Sequence, residues 1–183
     1  MKEIKIYARA GQGAITTATI LGQALFQEGK YPYAFPHFGA ARMGAPMNAF
    51  VRVDDKPIRL RSQIYEPDYV IIVDATLMRG FDCLTGLQPE GVAVFNEREG
   101  IEIPKSKGKQ KIYAIPANKI AMEVIGLPLG NTTLIGAFAA ATGEMTLDAV
   151  HKAINDRFKG KLAEVNAEAA KRGFEYVQKA DIT

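Results

Sequence analysis

The chain is poor in the residues that carry redox and metal chemistry. Its 183 residues include one cysteine, Cys83, two histidines and no tryptophan. A lone cysteine excludes a disulfide within the chain and any iron–sulfur cluster or zinc site ligated by its own thiols. No histidine and carboxylate pair has metal-ligand spacing, and no Gly-x-Ser-x-Gly elbow occurs. The predicted set of catalytic and metal-ligating residues is therefore empty. Also missing is an apolar run of about eighteen residues or more. The chain opens directly on a charged strand pattern, so neither a membrane span nor a secretory signal is expected, and the cytoplasm is the expected compartment. The net charge is only +3, with no lysine or arginine run, which argues against general nucleic-acid binding.

What remains is an ordinary globular composition, 48% hydrophobic and 23% charged, expected to form one domain over residues 1–183. The chain is organised around the turn Arg9-Ala10-Gly11-Gln12-Gly13. Before it, Ile4, Ile6 and Ala8 alternate with Lys5, Tyr7 and Arg9, the period of a strand. After it, Ala14, Ile15, Ala18, Leu21, Leu25 and Phe26 recur at helical spacing. A strand that turns through glycines into a helix leaves N–H groups unpaired at the helix start, and these favour an anion such as a phosphate. Gly11 and Gly13 permit positive φ and close approach of a ligand. Arg9 adds charge, and Thr16 and Thr17 offer hydroxyls. The pattern is neither Gly-x-Gly-x-x-Gly nor a P-loop, because Thr16 replaces the third glycine and no Gly-Lys-Ser/Thr follows. It is also compatible with a plain strand-to-helix turn that holds no ligand.

Downstream, Tyr31 to Gly39 is dense in aromatics and prolines and reads as a short strand and an irregular loop. Arg42, flanked by small residues, is the functional candidate of this region, and His37 is expected to be a hydrogen-bonded structural side chain. Met47 to Val53 alternates as a strand. After the turn at Asp54-Asp55, Ile58 to Arg61 resumes the alternation, which predicts an antiparallel hairpin. Tyr69 to Val73 is a continuous apolar run, expected as a central strand that ends at Asp74. Asp74 is predicted to cap a short helix over Ala75 to Leu87. Further strands are expected at Gly91 to Asn96 and Lys111 to Ile115. Helices are expected over Asn118 to Ile125, over Thr132 to Thr142 with Asn131 as its cap, over Thr146 to Phe158, and after Gly160. This order predicts an α/β sheet with helices on both faces.

Four segments together resemble a known family, the gamma subunits of the 2-oxoacid:ferredoxin oxidoreductases. They are Arg9 to Ala14, Gly29 to Gly39, Arg42 to Pro46, and Pro57 to Asp68, with weaker echoes at Asn131 to Ala137 and in the last helix. Two departures stand out: Ala10 replaces a common glycine, and Ala41 replaces the acid of a Glu-Arg-x run. The resemblance implies a three-layer α/β sandwich with a mixed, mainly parallel central sheet. It implies a cytoplasmic complex that oxidatively decarboxylates a 2-oxoacid, forms an acyl-CoA and reduces ferredoxin. Thiamine diphosphate, Mg2+ and the iron–sulfur clusters would belong to alpha, beta and ferredoxin-like delta subunits, and this chain would be inactive alone. Its own part would be to help bind coenzyme A, through Arg9, Gly11, Gln12, Gly13, Thr16 and Arg42, and to hold the assembly together. Pyruvate is the expected substrate. Indolepyruvate, 2-oxoglutarate, branched-chain and aryl 2-oxoacids remain alternatives, as does a free nucleotide-binding or scaffold module.

Overall fold

The computed structural model describes residues 1–37 and 42–180; Phe38, Gly39, Ala40 and Ala41, which the resemblance partly rests on, lie outside them. Among the described residues, six strands form one sheet: β1 (Lys2–Arg9), β2 (Tyr31–His37), β3 (Pro46–Asp54), β4 (Tyr69–Ile72), β5 (Val92–Asn96) and β6 (Lys111–Ile115). The order is β2-β3-β1-β4-β5-β6. Strands β1, β4, β5 and β6 run parallel, and β3 lies antiparallel between β1 and β2. This is the mixed, mainly parallel sheet that the resemblance implied.

The alternation read in β1 is real. Ile4, Ile6 and Ala8 are fully buried and face one core, with Ala49, Val51 and Val53 of β3 and Ile71 of β4 beside them. The helices α1 (Ala14–Gln27), α3 (Asn131–Thr142) and α4 (Leu147–Arg157) close that core. Helices α2 (Ala117–Val124) and α5 (Gly160–Ala180) pack on α3. The second core lies on the opposite face, under Val70, Ile72, Ala93 and Phe95. Its cover is a single 3-10 turn, Ala75–Arg79, with the segment around Cys83 and Leu87. The α-helices therefore occupy one face, and the third layer is a 3-10 turn and coil. The helix expected over Ala75 to Leu87 stops at Arg79. Gly86 must sit against the Tyr65 carbonyl with φ +79°, a path an α-helix does not take.

The predicted hairpin between β3 and Ile58 to Arg61 does not form. Both edges of β3 are already occupied, by β1 and by β2, so no ladder remains for a third partner. Strand β2 is an edge strand despite Pro32 and Pro36, each of which lacks a backbone donor. Prolines are tolerated at such an edge and blunt it against further pairing. His37 has the expected structural role, with the Gln63 amide 3.2 Å from its ring nitrogens.

Helix α3 starts at Asn131 itself, with Gly130 in the capping position and no side-chain cap. Helix α4 starts one residue later than expected, at Leu147, with Thr146 as its cap: the Thr146 hydroxyl accepts from the Ala149 N–H at 3.2 Å. Across the first core, Lys30 donates to Glu144 at 2.7 Å and the Tyr69 hydroxyl donates to the same carboxylate at 2.6 Å.

Candidate ligand site at the glycine turn

The turn lies at the carboxyl end of β1, beside the carboxyl ends of β4 and β5, where open α/β sheets place ligands. The Gln12 N–H donates to the Arg9 carbonyl at 3.0 Å, and Gly11 has φ +95°. That geometry requires glycine at the third position of the turn. Gly13 follows at φ +80° and precedes the first residue of α1, with no side-chain cap. The N–H groups of Gly13, Ala14 and Ile15 find no acceptor among the described residues. They form the open, dipole-positive end of a fourteen-residue helix.

The side chains around this end turn inward. Gln12 folds back over its own turn: its Oε1 accepts from the Arg9 N–H at 2.8 Å, and its Nε2 donates to Asp74 Oδ2 at 2.7 Å. Arg9 Nε lies 3.2 Å from Asp74 Oδ2, and the guanidinium donates to Thr76 Oγ1 at 3.0 Å and to the Gly44 carbonyl at 3.1 Å. Asp74 also caps the 3-10 turn, accepting from the Thr76 N–H at 2.9 Å and the Thr76 hydroxyl at 2.7 Å. Cap and hub are the same carboxylate, 6% exposed.

Burial alone would raise the Asp74 pKa. The Thr76 hydroxyl, the Gln12 amide, the Thr76 N–H and the Arg9 charge outweigh it and hold the carboxyl below its ordinary 3.8. A depressed folded value means that this contribution to stability is present above the unfolded pKa and is lost as pH falls through the folded one. We expect the stability of the wild-type chain to fall more steeply on acidification below about pH 4 than that of Asp74→Asn. Denaturant unfolding across that range reads the difference, and parallel profiles would refute it.

The expected site residues thus divide. Gly11 and Gly13 line the open helix end. Thr16 stands half-buried in the first turn of α1, and Arg42 is exposed in the turn closed by the Ala45 N–H on the Arg42 carbonyl at 3.0 Å. That turn is fastened to the glycine turn by backbone bonds in both directions, Ala10 to Ala45 at 2.9 Å and Gly44 to Ala10 at 3.1 Å. Arg9 and Gln12 instead brace the turn from behind. The Thr17 hydroxyl is spent on the Gly13 carbonyl at 3.0 Å.

Residues that sequence reasoning missed complete the mouth. Met43, 87% exposed, holds its sulfur 2.6 Å from where a Gly11 side chain would begin. Asn131 brings its amide within 2.9 Å of the same position at Gly13. Arg98, after β5, stands 4.0 Å from Asp74 and is 61% exposed. Arg9 is the closer partner of Asp74, at 3.2 Å, while Arg98 and Arg42 keep exposed side chains. Cys83 is no part of this site: it is buried in the second core, and burial pushes its thiol up to about 11. Among the described residues, no group of three or more histidine, cysteine, aspartate or glutamate side chains could hold a metal ion.

A family-wide sequence pattern described as pyruvate ferredoxin/flavodoxin oxidoreductase matches residues 3–176. The "pyruvate/ketoisovalerate oxidoreductases common subunit gamma" of Pyrococcus abyssi is 46% identical over 181 residues, 97% of this chain and 98% of the relative. The chain belongs to the gamma subunits of the 2-oxoacid:ferredoxin oxidoreductases. The crystal structure of pyruvate oxidoreductase subunit PORC from Thermotoga maritima superposes with a TM-score of 0.82 at 34% identity, covering 95% of each chain. The same fold recurs at 18% identity and TM-score 0.80 in a 2-oxoglutarate:ferredoxin oxidoreductase chain from Magnetococcus marinus, of which it is 31%. This gamma-subunit chain is therefore one component of an oxidoreductase complex. No helix among its described residues is long and apolar enough to cross a membrane.

Proposed function

We propose that this gamma subunit binds a phosphate of coenzyme A at the open start of α1. There it serves a cytoplasmic complex that oxidatively decarboxylates a 2-oxoacid, pyruvate foremost, to an acyl-CoA and reduces ferredoxin. One observation carries the reading: the N–H groups of the helix start are left unpaired while the side chains of Arg9 and Gln12 are drawn back to Asp74. Unpaired N–H groups beside two glycines, with the exposed Arg42 on the adjoining turn and the exposed Arg98 after β5, suit an anionic ligand. Alpha, beta and delta partners would hold thiamine diphosphate, Mg2+ and the iron–sulfur clusters, because the one thiol of this chain is buried and unsuited to ligate a cluster. The choice of 2-oxoacid also falls to the partners. A gamma subunit common to pyruvate and ketoisovalerate oxidoreductases, as the Pyrococcus relative is named, supports that division. The chain acts as a single domain within that assembly.

The test is steady-state kinetics on the reconstituted complex with coenzyme A varied. Arg42→Ala removes an exposed cation without touching the turn. A lost charge-assisted contact of about 1.5–3 kcal/mol raises KM for coenzyme A roughly ten- to a hundredfold. KM for the 2-oxoacid should stay as it was. Unchanged coenzyme A kinetics in an intact complex would leave the loop a structural turn. Gly13 substitutions are a poorer probe, because φ +80° and the Asn131 amide penalise any side chain there.

A further inference from the structure

The segment between β3 and β4 has no strand or helix, yet it is held as firmly as one. Its anchor is Arg52 of β3, 1% exposed. The Arg52 Nε donates to Glu3 Oε1 at 2.6 Å, and Nη1 and Nη2 donate to the carbonyls of Ser62 at 2.7 Å and Gln63 at 3.3 Å. A buried guanidinium is costly to desolvate, and here its protons are taken up by one carboxylate and a run of loop carbonyls. Ile64, also 1% exposed, pins the far end. A buried charge is thus used to fix the shape of an irregular surface loop.

What that loop displays has no carboxylate partner among the described residues. The Arg61 guanidinium lies over the Tyr33 ring, 3.9 Å from its centroid. Its Nη1 donates only to carbonyls of its own loop, Ile58 at 3.0 Å and Leu60 at 3.2 Å. Neither Arg59 nor Arg61 has a carboxylate within 4.0 Å among the described residues. Leu60 is 46% exposed and Tyr65 is 70% exposed. Arginine and tyrosine beside an exposed leucine, on a preorganised loop, have the composition of an interface centre.

We propose that this loop is an assembly surface, and that its partner is another subunit of the oxidoreductase, presenting carboxylates to Arg59 and Arg61 around an apolar patch that covers Leu60. The inference rests on the gamma-subunit reading for the existence of that partner. Charge supplies the argument for its chemistry: two arginines preset and lacking an acid in their own chain call for one from outside.

The experiment co-expresses the chain with the other subunits of its complex and measures assembly by native mass spectrometry and the dissociation constant of the gamma subunit. The double variant Arg59→Glu/Arg61→Glu should weaken association at least about thirtyfold, and raising salt should weaken the wild type in the same direction. Because Arg61 stacks on Tyr33, the melting temperature of the free variant is read alongside. The single variant Arg59→Glu, whose side chain pairs with no described residue, keeps the test sound if the double variant unfolds. Wild-type affinity in a folded variant would overturn the proposal. So would intact assembly with a raised KM for coenzyme A, which would make the surface a small-anion site. If the wild type itself failed to assemble, docking onto a partner subunit would be overturned, whereas normal wild-type assembly beside an unaffected variant would remove only this loop as the docking surface.

Discussion

Gly136→Ala should cost the folded chain about 3 kcal/mol or more, which for this size lowers the melting temperature by roughly 6–12 °C. The reason is backbone, not side chain. A methyl at Gly136 would be driven into the carbonyl group of Ala170 on α5, and one at Gly173 into the carbonyl of Thr133 on α3. The two helices thus meet through reciprocal glycines, and no rotamer change relieves a clash with main chain. Either the helices separate, opening a gap beside Ala137, Ala169 and Ala170, or the substituted helix bends. Gly80→Ala is the matched control. It faces open space at φ −120° and should stay within about 0.5 kcal/mol of wild type. Thermal and denaturant unfolding of the pair decide the matter, and equal stabilities would show that α3 and α5 can part without cost.

Arg52→Met should be comparably severe, about 3–5 kcal/mol, the range for removing one partner of a buried ion pair. The variant leaves the Glu3 carboxylate facing apolar surface and strips the Ser62 and Gln63 carbonyls of their donor. Arg52→Met/Glu3→Gln should recover part of that loss, because the orphaned charge is gone while the orphaned carbonyls remain. Such a pattern appears in a double-mutant cycle as a coupling energy well above about 0.5 kcal/mol. Purely additive losses would mean that Arg52 acts by filling space beneath Phe35 rather than by its charge.

The sequence was informative wherever the governing interaction is local. Period-two alternation marked β1 and β3, the apolar run marked β4, and the helix expected over Thr146 to Phe158 forms as α4. The glycine turn was legible for the same reason: positive φ and an open helix start are properties of five consecutive residues. Gly136 and its alanine neighbours in α3 permit close packing, but nothing local names α5 as the partner.

Long-range competition decided the rest. Ile58 to Arg61 has a sound strand pattern, yet β3 had been claimed on both edges by β1 and β2, and Arg52 drew the loop's carbonyls to itself instead. Arg9 and Gln12 look like anion ligands when read beside Gly11 and Gly13. Asp74, sixty-two residues beyond Gln12, turns both inward. Arg98 comes near Asp74 only because β5 ends beside β4 in a parallel sheet. By itself the sequence determined most of the elements, the turn and the family. Only the tertiary structure decided which polar groups are spent on one another and which remain open, because that depends on which chain segments reach a given strand edge or carboxylate first.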